Sequence, residues 1–306
     1  EHWKRLLELT NFLRRGVEEG YSLSGVLLSH VHYDHSRDIP FLFELLTMAP
    51  GKRKNHKKVG FNLEGPKVPV NRLPALCCDD DTKKDLKKRF KKISKLAGYD
   101  NWHDITDAGG KRLHFDDVYN GHSSNPLAAG VAVGSFTVGG FTVQPYIWDH
   151  LNVGPADKWG IGLISGSYQR ISAFLVYKSE VKKARRTFVI GSAGEMSRAH
   201  TITVADSDIK TDLLIQSICG DRGRTGELVK YQLRCVRNPR FIACSHWEKF
   251  VGGPADGSRR KKDFHKKVKT YVKALKGSGV DSRVFVFARA GFEMDMPDRP
   301  SEFLHI

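Results

Sequence analysis

The spacing of apolar residues near the start of the chain predicts an amphipathic helix over residues 2–15. The apolar positions that recur every three or four residues, with basic residues between them, are Trp3, Leu6, Leu9 and Leu13. The pattern then changes, because residues 26–29 form a short run without polar alternation, which is typical of a strand covered on both faces. Residues 39–46 return to a helical pattern, with Pro40 in the first turn. A helix, a buried strand and a second helix are therefore predicted here.

The next part of the chain is strongly basic. Residues 50–75 contain several prolines and glycines and predict an irregular surface loop. Residues 82–97 predict a helix with one apolar stripe, which includes Leu86 and Phe90, and a lysine-rich opposite side. Such a helix could bind nucleic acid or anionic lipid, or it could be an ordinary surface helix whose charged side is solvated. We interpret residues 50–115, approximately, as a basic insert in a single domain over 1–306.

The remainder alternates between strands and helices. Residues 136–138 and 141–143 alternate around Gly139-Gly140, which is the signature of a hairpin with a two-residue turn. Further strands are predicted at 173–177, 187–190, 212–215, 240–245 and 284–287, and helices at 227–234 and 261–276. This order indicates a layered α/β protein with sheets inside and helices outside.

Composition narrows the class of protein. The 306 residues are 40% hydrophobic and 27% charged, which is typical of a globular protein, and no apolar run approaches the roughly 20 residues of a membrane helix. The five cysteines are odd in number and are not spaced as in a zinc knuckle, so we expect a reducing, cytoplasmic environment. The net charge of +16 favours an anionic partner, whether a small substrate, a nucleic acid or a membrane surface.

The candidate chemistry lies directly after the first strand, where His30, His32, Asp34 and His35 fall within six residues. Imidazole nitrogens and carboxylate oxygens are the ligands that zinc and related metals prefer. In extended backbone His30 and His32 project to the same side, because they are two residues apart, so they can bind one ion together. Asp34 and His35 follow where the chain turns and can face a second ion. The hexapeptide therefore predicts a metal site with two ions.

Three distant residues are candidates to complete this site. His150, Glu195 and His246 each follow a predicted strand, which is the position that the first motif also occupies. A lone histidine is usually a surface or core residue. Here the hexapeptide and three distant residues all follow predicted strands, and this coincidence favours a shared site. His200 and Asp206 are weaker alternatives to Glu195.

The motif His30-x-His32-x-Asp34-His35 resembles the signature of the metallo-β-lactamase superfamily. The later motifs resemble the branch that includes ascorbate-6-phosphate lactonase and N-acylphosphatidylethanolamine phospholipase D, and the resemblance covers roughly residues 22–250. It implies a four-layer αββα sandwich and two divalent ions, zinc or manganese. It also implies that a hydroxide bridging the two ions attacks an ester substrate.

The resemblance also implies a role for each ligand. One ion would be held by His30, His32 and His150, and the other by Asp34, His35 and His246. Glu195 stands where the family normally has the aspartate that bridges the ions, so this chain departs from the pattern by one methylene. Asp34 would also act as the general base.

Three functions follow from these observations. The first is hydrolysis of a small anionic ester, namely a phosphodiester, a cyclic nucleotide or a phosphorylated lactone. The second is a metal-dependent nuclease acting on RNA or DNA, which the basic helices favour. The third is a metal-stabilised binding protein without catalysis. The metal motif and the positive charge together favour the first.

Overall fold

The computed structural model describes residues 2–30, 33–54, 60–105, 134–149, 170–181, 184–191, 209–217, 236–237, 239–245, 269, 273 and 285–287. At a few of these positions, Asp34 and Trp148 among them, only the backbone is described. The chain falls into two compact units, one formed by 1–108 with 137–139 and the other by 109–136 with 140–306. Compact units of this kind occur within one layered domain as well as in two domains, so the single domain over 1–306, with its basic insert, stays a prediction.

The first unit contains four α-helices, two short 3-10 helices and five strands among its described residues. The α-helices are α1 (His2–Glu18), α2 (Tyr33–Ser36), α3 (Ile39–Thr47) and α4 (Asp80–Phe90), and the 3-10 helices span Val70–Arg72 and Ser94–Leu96. The strands are β1 (Gly25–Leu27), β2 (Gly51–Lys54), β3 (Gly60–Leu63), β4 (Ala75–Cys78) and β5 (Trp102–Asp104).

A three-stranded parallel sheet in the order β1-β4-β5 forms the centre of this unit. Val26 of β1 pairs with Leu76 of β4, and Cys77 of β4 pairs with His103 of β5. Helices cover the sheet through an apolar core that includes Phe43 and Leu86, both fully buried. Because all three strands are parallel, their carboxyl ends lie at one edge of the sheet. This edge is where the residues that follow β1 emerge.

A buried arginine joins three segments of the first unit. Arg14 on α1 is completely buried, and its guanidinium donates hydrogen bonds to four backbone carbonyls. Two of these carbonyls, of Leu45 and Met48, lie at the end of α3, and the other two, of Glu64 and Gly65, follow β3. Since carbonyls at a helix end lack the usual partner within the helix, Arg14 supplies donors to groups at the end of α3 and after β3 from one buried side chain.

The second unit is built on a mixed sheet in the order β14-β13-β11-β9-β8-β7-β6. The strands of this sheet are β6 (Phe136–Val138), of which 137–138 are counted with the first unit, and β7 (Phe141–Asp149), β8 (Arg170–Tyr177), β9 (Thr187–Ile190), β11 (Leu213–Ser217), β13 (Phe241–Ser245) and β14 (Phe285–Phe287). A separate pair is formed by β10 (Ile209–Lys210) and β12 (Val236–Arg237). Strands β9, β11, β13 and β14 are parallel, whereas β8 is antiparallel to both of its neighbours.

Most predicted elements that fall on described residues are confirmed, including α1, α3, β1 and the strands β8, β9, β11, β13 and β14. The hairpin over 136–143 is confirmed as well, with φ of 56° at Gly139 and 75° at Gly140. A two-residue turn with positive φ at both positions is the type I′ geometry that glycine permits. The predicted helix over 227–234 lies outside the described residues. Of the helix over 261–276 only Lys269 and Lys273 are described, and both are helical and exposed.

Two predictions for the basic region require correction. The irregular loop over 50–75 is wrong for 51–54 and 60–63, because β2 and β3 pair there as antiparallel strands. Strand β2 is Gly-Lys-Arg-Lys, so it has no apolar side from which a strand could be recognised. The helix predicted over 82–97 spans Asp80–Phe90 instead. Its start is set by Asp79, whose carboxylate accepts a hydrogen bond of 2.8 Å from the backbone N–H of Thr82 and caps the helix.

The class of fold is mixed α/β, as predicted. In the part of the chain that the structure describes, no helix is both long and apolar enough to span a membrane.

Candidate metal centre

The first histidine of the motif lies at the carboxyl edge of the parallel sheet. The backbone N–H of Leu28 donates to the carbonyl of Cys77 at 2.9 Å, which extends the pairing of β1 with β4 by one residue. Ser29 and His30 follow immediately, and both side chains are buried. His30 therefore emerges where the sheet ends, the position at which layered α/β proteins collect ligands.

Ser29 orients the ring of His30. The hydroxyl of Ser29 lies 2.8 Å from Nδ1 of His30, a hydrogen bond between two buried side chains. With Nδ1 engaged in this way, Nε2 is the nitrogen of His30 that is suited to hold a metal, and this nitrogen is also buried. Histidine ligands of metals commonly use their second nitrogen in a hydrogen bond of this kind, which fixes the tautomer and the ring orientation.

The ring of His35 lies against the ring of His30. His35 lies on α2, and the two ring centroids are 4.3 Å apart with the planes tilted by 47°. Two imidazole rings in contact place two nitrogen donors of the kind that binds a metal side by side.

The structure does not describe the side chains of the other predicted ligands. The backbone of Asp34 lies on α2, but its side chain is outside the described part, as are His32, His150, Glu195 and His246. Among the described residues no three histidine, cysteine, aspartate or glutamate side chains form a group that could hold a metal. Of the predicted set, the structure brings together His30 and His35.

The strands that precede the distant candidates nevertheless end at one edge of the second sheet. Strands β7 and β9 are both antiparallel to β8, so they run in the same direction, and β13 is parallel to β11, which is parallel to β9. In sequence, His150 directly follows β7 and His246 directly follows β13, while Glu195 comes five residues after the last residue of β9. The three candidates thus follow strand ends that meet at the same edge.

Sequence reasoning missed other polar groups at the carboxyl edges of the two sheets. Asp79 follows β4, Asp104 ends β5, and Gln216, which is fully buried, lies near the end of β11. The signal for Asp79 was present, because the short apolar run 75–78 is followed directly by this carboxylate. Asp79 is committed to capping α4, since its two oxygens accept from the N–H and the hydroxyl of Thr82 at 2.8 and 3.0 Å.

The cysteines at this edge are buried thiols. Burial raises the pKa of the Cys77 thiol to about 11. Burial also raises the pKa of Cys78, with a further contribution from the nearby carboxylates of Asp79 and Asp104. Both environments therefore favour the thiol over the reactive thiolate.

Comparisons with known proteins give little further information. No protein-family model matches the chain, and no curated protein matches it. Among solved structures the chain is similar to unliganded yeast PDE1, with a TM-score of 0.43 and 12% sequence identity over 87% of this chain and 66% of that chain. The chain thus spans just under two thirds of the length of yeast PDE1. A likeness at this level decides neither the topology nor the activity of the chain.

Proposed function

We propose that the chain is a metal-dependent hydrolase of a small anionic ester, on a four-layer fold of the metallo-β-lactamase type. The observation that carries this proposal is the contact between the rings of His30 and His35 at 4.3 Å. Within the hexapeptide that resembles the superfamily signature, two nitrogen ligands that the resemblance assigns to different ions lie side by side. Hydrolases with two ions hold them about 3.5–4 Å apart, and ligands of the two ions that lie side by side are compatible with this spacing.

The donor set suits zinc or manganese. His30, His32 and His150 would hold one ion, and Asp34, His35 and His246 the other, with Glu195 as the carboxylate between them. The common direction of β7, β9 and β13 supports this assignment, because it brings the strand ends that precede three of these residues to one edge. When bound, the ions supply water activation at neutral pH and polarise the oxygen of the substrate.

The chain's own side chains have distinct tasks in this proposal. Asp34 would accept and hold the proton of the attacking water, since a carboxylate within hydrogen-bond reach can act as a general base. Ser29 holds the ring of His30 in one orientation through its bond of 2.8 Å to Nδ1. Arg37 is a candidate for binding the anionic part of the substrate, although its Nε also contacts the carboxylate of Asp38 at 3.1 Å.

The test combines metal content with turnover. The purified chain is stripped with a chelator, restored with zinc or manganese, and assayed on a panel of a nitrophenyl phosphodiester, a cyclic nucleotide and a phosphorylated lactone. We expect two ions per chain and turnover that disappears on stripping. His30→Ala should lower turnover at least about 100-fold, because it removes a ligand outright.

The matched control is His103→Asn. His103 is a partly buried histidine on β5 that belongs to neither predicted ligand group, so its substitution should leave metal content and turnover within about twofold of the parent. Absence of metal-dependent turnover on every ester would contradict the proposal. A single, tightly held ion without turnover would instead identify a metal-stabilised binding protein.

A further inference from the structure

A lysine-rich surface covers the exposed side of α4 and the turn that follows it. Its members are all exposed and recur at intervals of three and one residues: Lys84, Lys87, Lys88, Lys91, Lys92 and Lys95. Within α4 this spacing keeps Lys84, Lys87 and Lys88 on one side of the helix, and Lys91, Lys92 and Lys95 are exposed in the turn and the 3-10 helix that follow it. The neighbouring Arg89 is paired with Asp85 at 2.6 Å. The lysine surface therefore places six exposed lysines within twelve residues of the chain.

The opposite side of α4 belongs to the core. Leu86 is fully buried and Phe90 is 2% exposed, so the apolar residues of the helix are already covered. An amphipathic helix that inserts into lipid needs a free apolar side. Binding through the lysine surface must therefore be electrostatic, without insertion of the helix.

The lysine surface is separated from the candidate metal centre. Helix α4 starts directly after β4, at the carboxyl edge of the sheet where His30 also lies, and it carries the chain back toward the start of β5. Its 11 residues span about 16 Å along the helix axis. The end near His30 carries Asp79 and Asp80, whereas the lysines extend to the far end. The surface thus begins at Lys84, after the acidic start of α4, and extends past the end of the helix to Lys95.

This arrangement argues against a nucleic-acid substrate that runs from the lysines to the metal centre, because it would have to pass the acidic start of α4. Proteins that bind single-stranded nucleic acids also use exposed aromatic side chains for stacking. Phe90 is the one aromatic residue between 84 and 95, and it is buried. The nearby ring of Trp102 is approached by Nζ of Lys87 at 5.8 Å from its centroid.

We propose that the lysine surface docks the protein on an anionic lipid membrane. Clusters of four to eight basic residues are sufficient to bind membranes that contain phosphatidylserine, and lysine acts there as a point charge without the need for shaped hydrogen bonding. The binding is reversible and falls with increasing salt, because exposed charges are screened. The metal centre stays outside the contact area, so hydrolysis of a soluble ester does not depend on docking.

The experiment measures sedimentation of the full chain with vesicles of phosphatidylcholine alone or with added phosphatidylserine, at low and high salt. The test variant combines Lys88→Glu, Lys91→Glu and Lys92→Glu. The matched control combines Lys52→Glu, Lys54→Glu and Lys67→Glu, which changes the net charge equally at exposed lysines outside α4. We expect the test variant to bind phosphatidylserine vesicles on the order of 100-fold more weakly, and the control variant to lose less than about fivefold.

A second set, Lys88→Gln, Lys91→Gln and Lys92→Gln, tests the same surface if charge reversal disturbs folding, and it should also weaken binding at least about tenfold. Absence of phosphatidylserine-dependent binding by the parent chain would overturn the docking proposal. Equal losses in the test and control variants would overturn it as well, because net charge rather than this surface would then be responsible. Displacement of the vesicles by duplex RNA that binds more tightly through the same lysines would identify a nucleic-acid surface instead.

Discussion

The hydroxyl of Ser29 engages one ring nitrogen of His30, so in the proposed site the other nitrogen would bind the metal. Ser29 and His30 are neighbours in sequence, and in extended backbone neighbouring side chains point to opposite sides. Their hydrogen bond of 2.8 Å is made where β1 has ended and the backbone no longer alternates. The end of the strand therefore allows Ser29 to orient the ring that follows it.

Substitution Ser29→Ala should weaken metal binding about 10- to 100-fold, the usual effect of removing a hydrogen bond behind a histidine ligand. Ser29→Thr keeps the hydroxyl and should restore most of the affinity. The measurement is competition for zinc with a chromophoric chelator, which reports affinity without any substrate. This expectation rests on the proposed function.

Ser94→Ala is the control for that substitution, because Ser94 is exposed in the 3-10 helix that follows α4. Its metal affinity should equal that of the parent. If Ser29→Ala also leaves zinc affinity unchanged, then the serine packs beside His30 without orienting a ligand.

Cys77 and Cys78, the two buried cysteines of β4, should react slowly with alkylating agents. Burial raises the pKa of Cys77 to about 11, so at pH 8 only about one thiol in a thousand is ionised, against about one in ten for the ordinary value of 9.0. The pKa of Cys78 is raised as well. Iodoacetamide labelling of the folded chain, followed by peptide mass mapping, should find both residues unmodified when the unfolded chain is fully labelled. Rapid labelling of either residue in the folded chain would contradict the burial seen here.

At the scale of single residues, the sequence predicted His30 and His35 because their types and spacing indicate metal binding. It could not predict the role of Ser29, since a hydrogen bond between neighbours depends on where the strand ends. Nor could it separate Arg14 from the adjacent Arg15. Both lie on a basic helix, but Arg14 is fully buried and Arg15 is half exposed. That difference depends on how α1 packs, which local spacing alone does not determine.

Among the elements, α1, α3 and the segment after β3 are held together by the guanidinium of Arg14. Arg14→Leu should destabilise the fold by roughly 3 kcal/mol or more, because it leaves four buried or partly buried carbonyls without their donor. Urea unfolding followed by circular dichroism measures the change in the free energy of unfolding.

Arg15→Leu is a matched substitution on the neighbouring residue. Arg15 forms a half-exposed ion pair with Glu64, and pairs of this kind contribute about 1 kcal/mol or less. The two variants should therefore differ by at least about 2 kcal/mol. Similar losses for both would mean that the buried hydrogen bonds of Arg14 contribute no more than a surface pair.

The elements that the sequence predicted share a clear local signal. Helices α1 and α3 have continuous helical spacing, and strands such as β8 and β13 have apolar runs of sufficient length. Strands β2, β3, β4 and β5 were not predicted; β2 is highly basic, and β5, Trp-His-Asp, has a single apolar residue. Short strands are stabilised by pairing with residues far away in sequence, so their own composition carries little information.

For the molecule as a whole, the sequence predicted the mixed α/β class through its alternation of strands and helices. The directions of the strands could not be predicted, because they depend on how the connections cross. Because β7, β9 and β13 share one direction, the strands that precede His150, Glu195 and His246 in sequence end at the same edge of the sheet. The proposed metal site therefore depends on topology as much as on the hexapeptide.

A site whose ligands lie far apart in sequence should make the stability of the whole molecule depend on metal. A ligand at 100 times its Kd stabilises the folded state by about 2.7 kcal/mol, which for a chain of this size corresponds to roughly 4 °C in Tm. Thermal unfolding of the stripped chain with and without added zinc measures this shift. His30→Ala and His246→Ala should each remove most of it, whereas His103→Asn should retain it. If His30→Ala abolishes the shift and His246→Ala leaves it intact, the metal is held locally by the hexapeptide, and the assignment of His246 as a ligand is wrong.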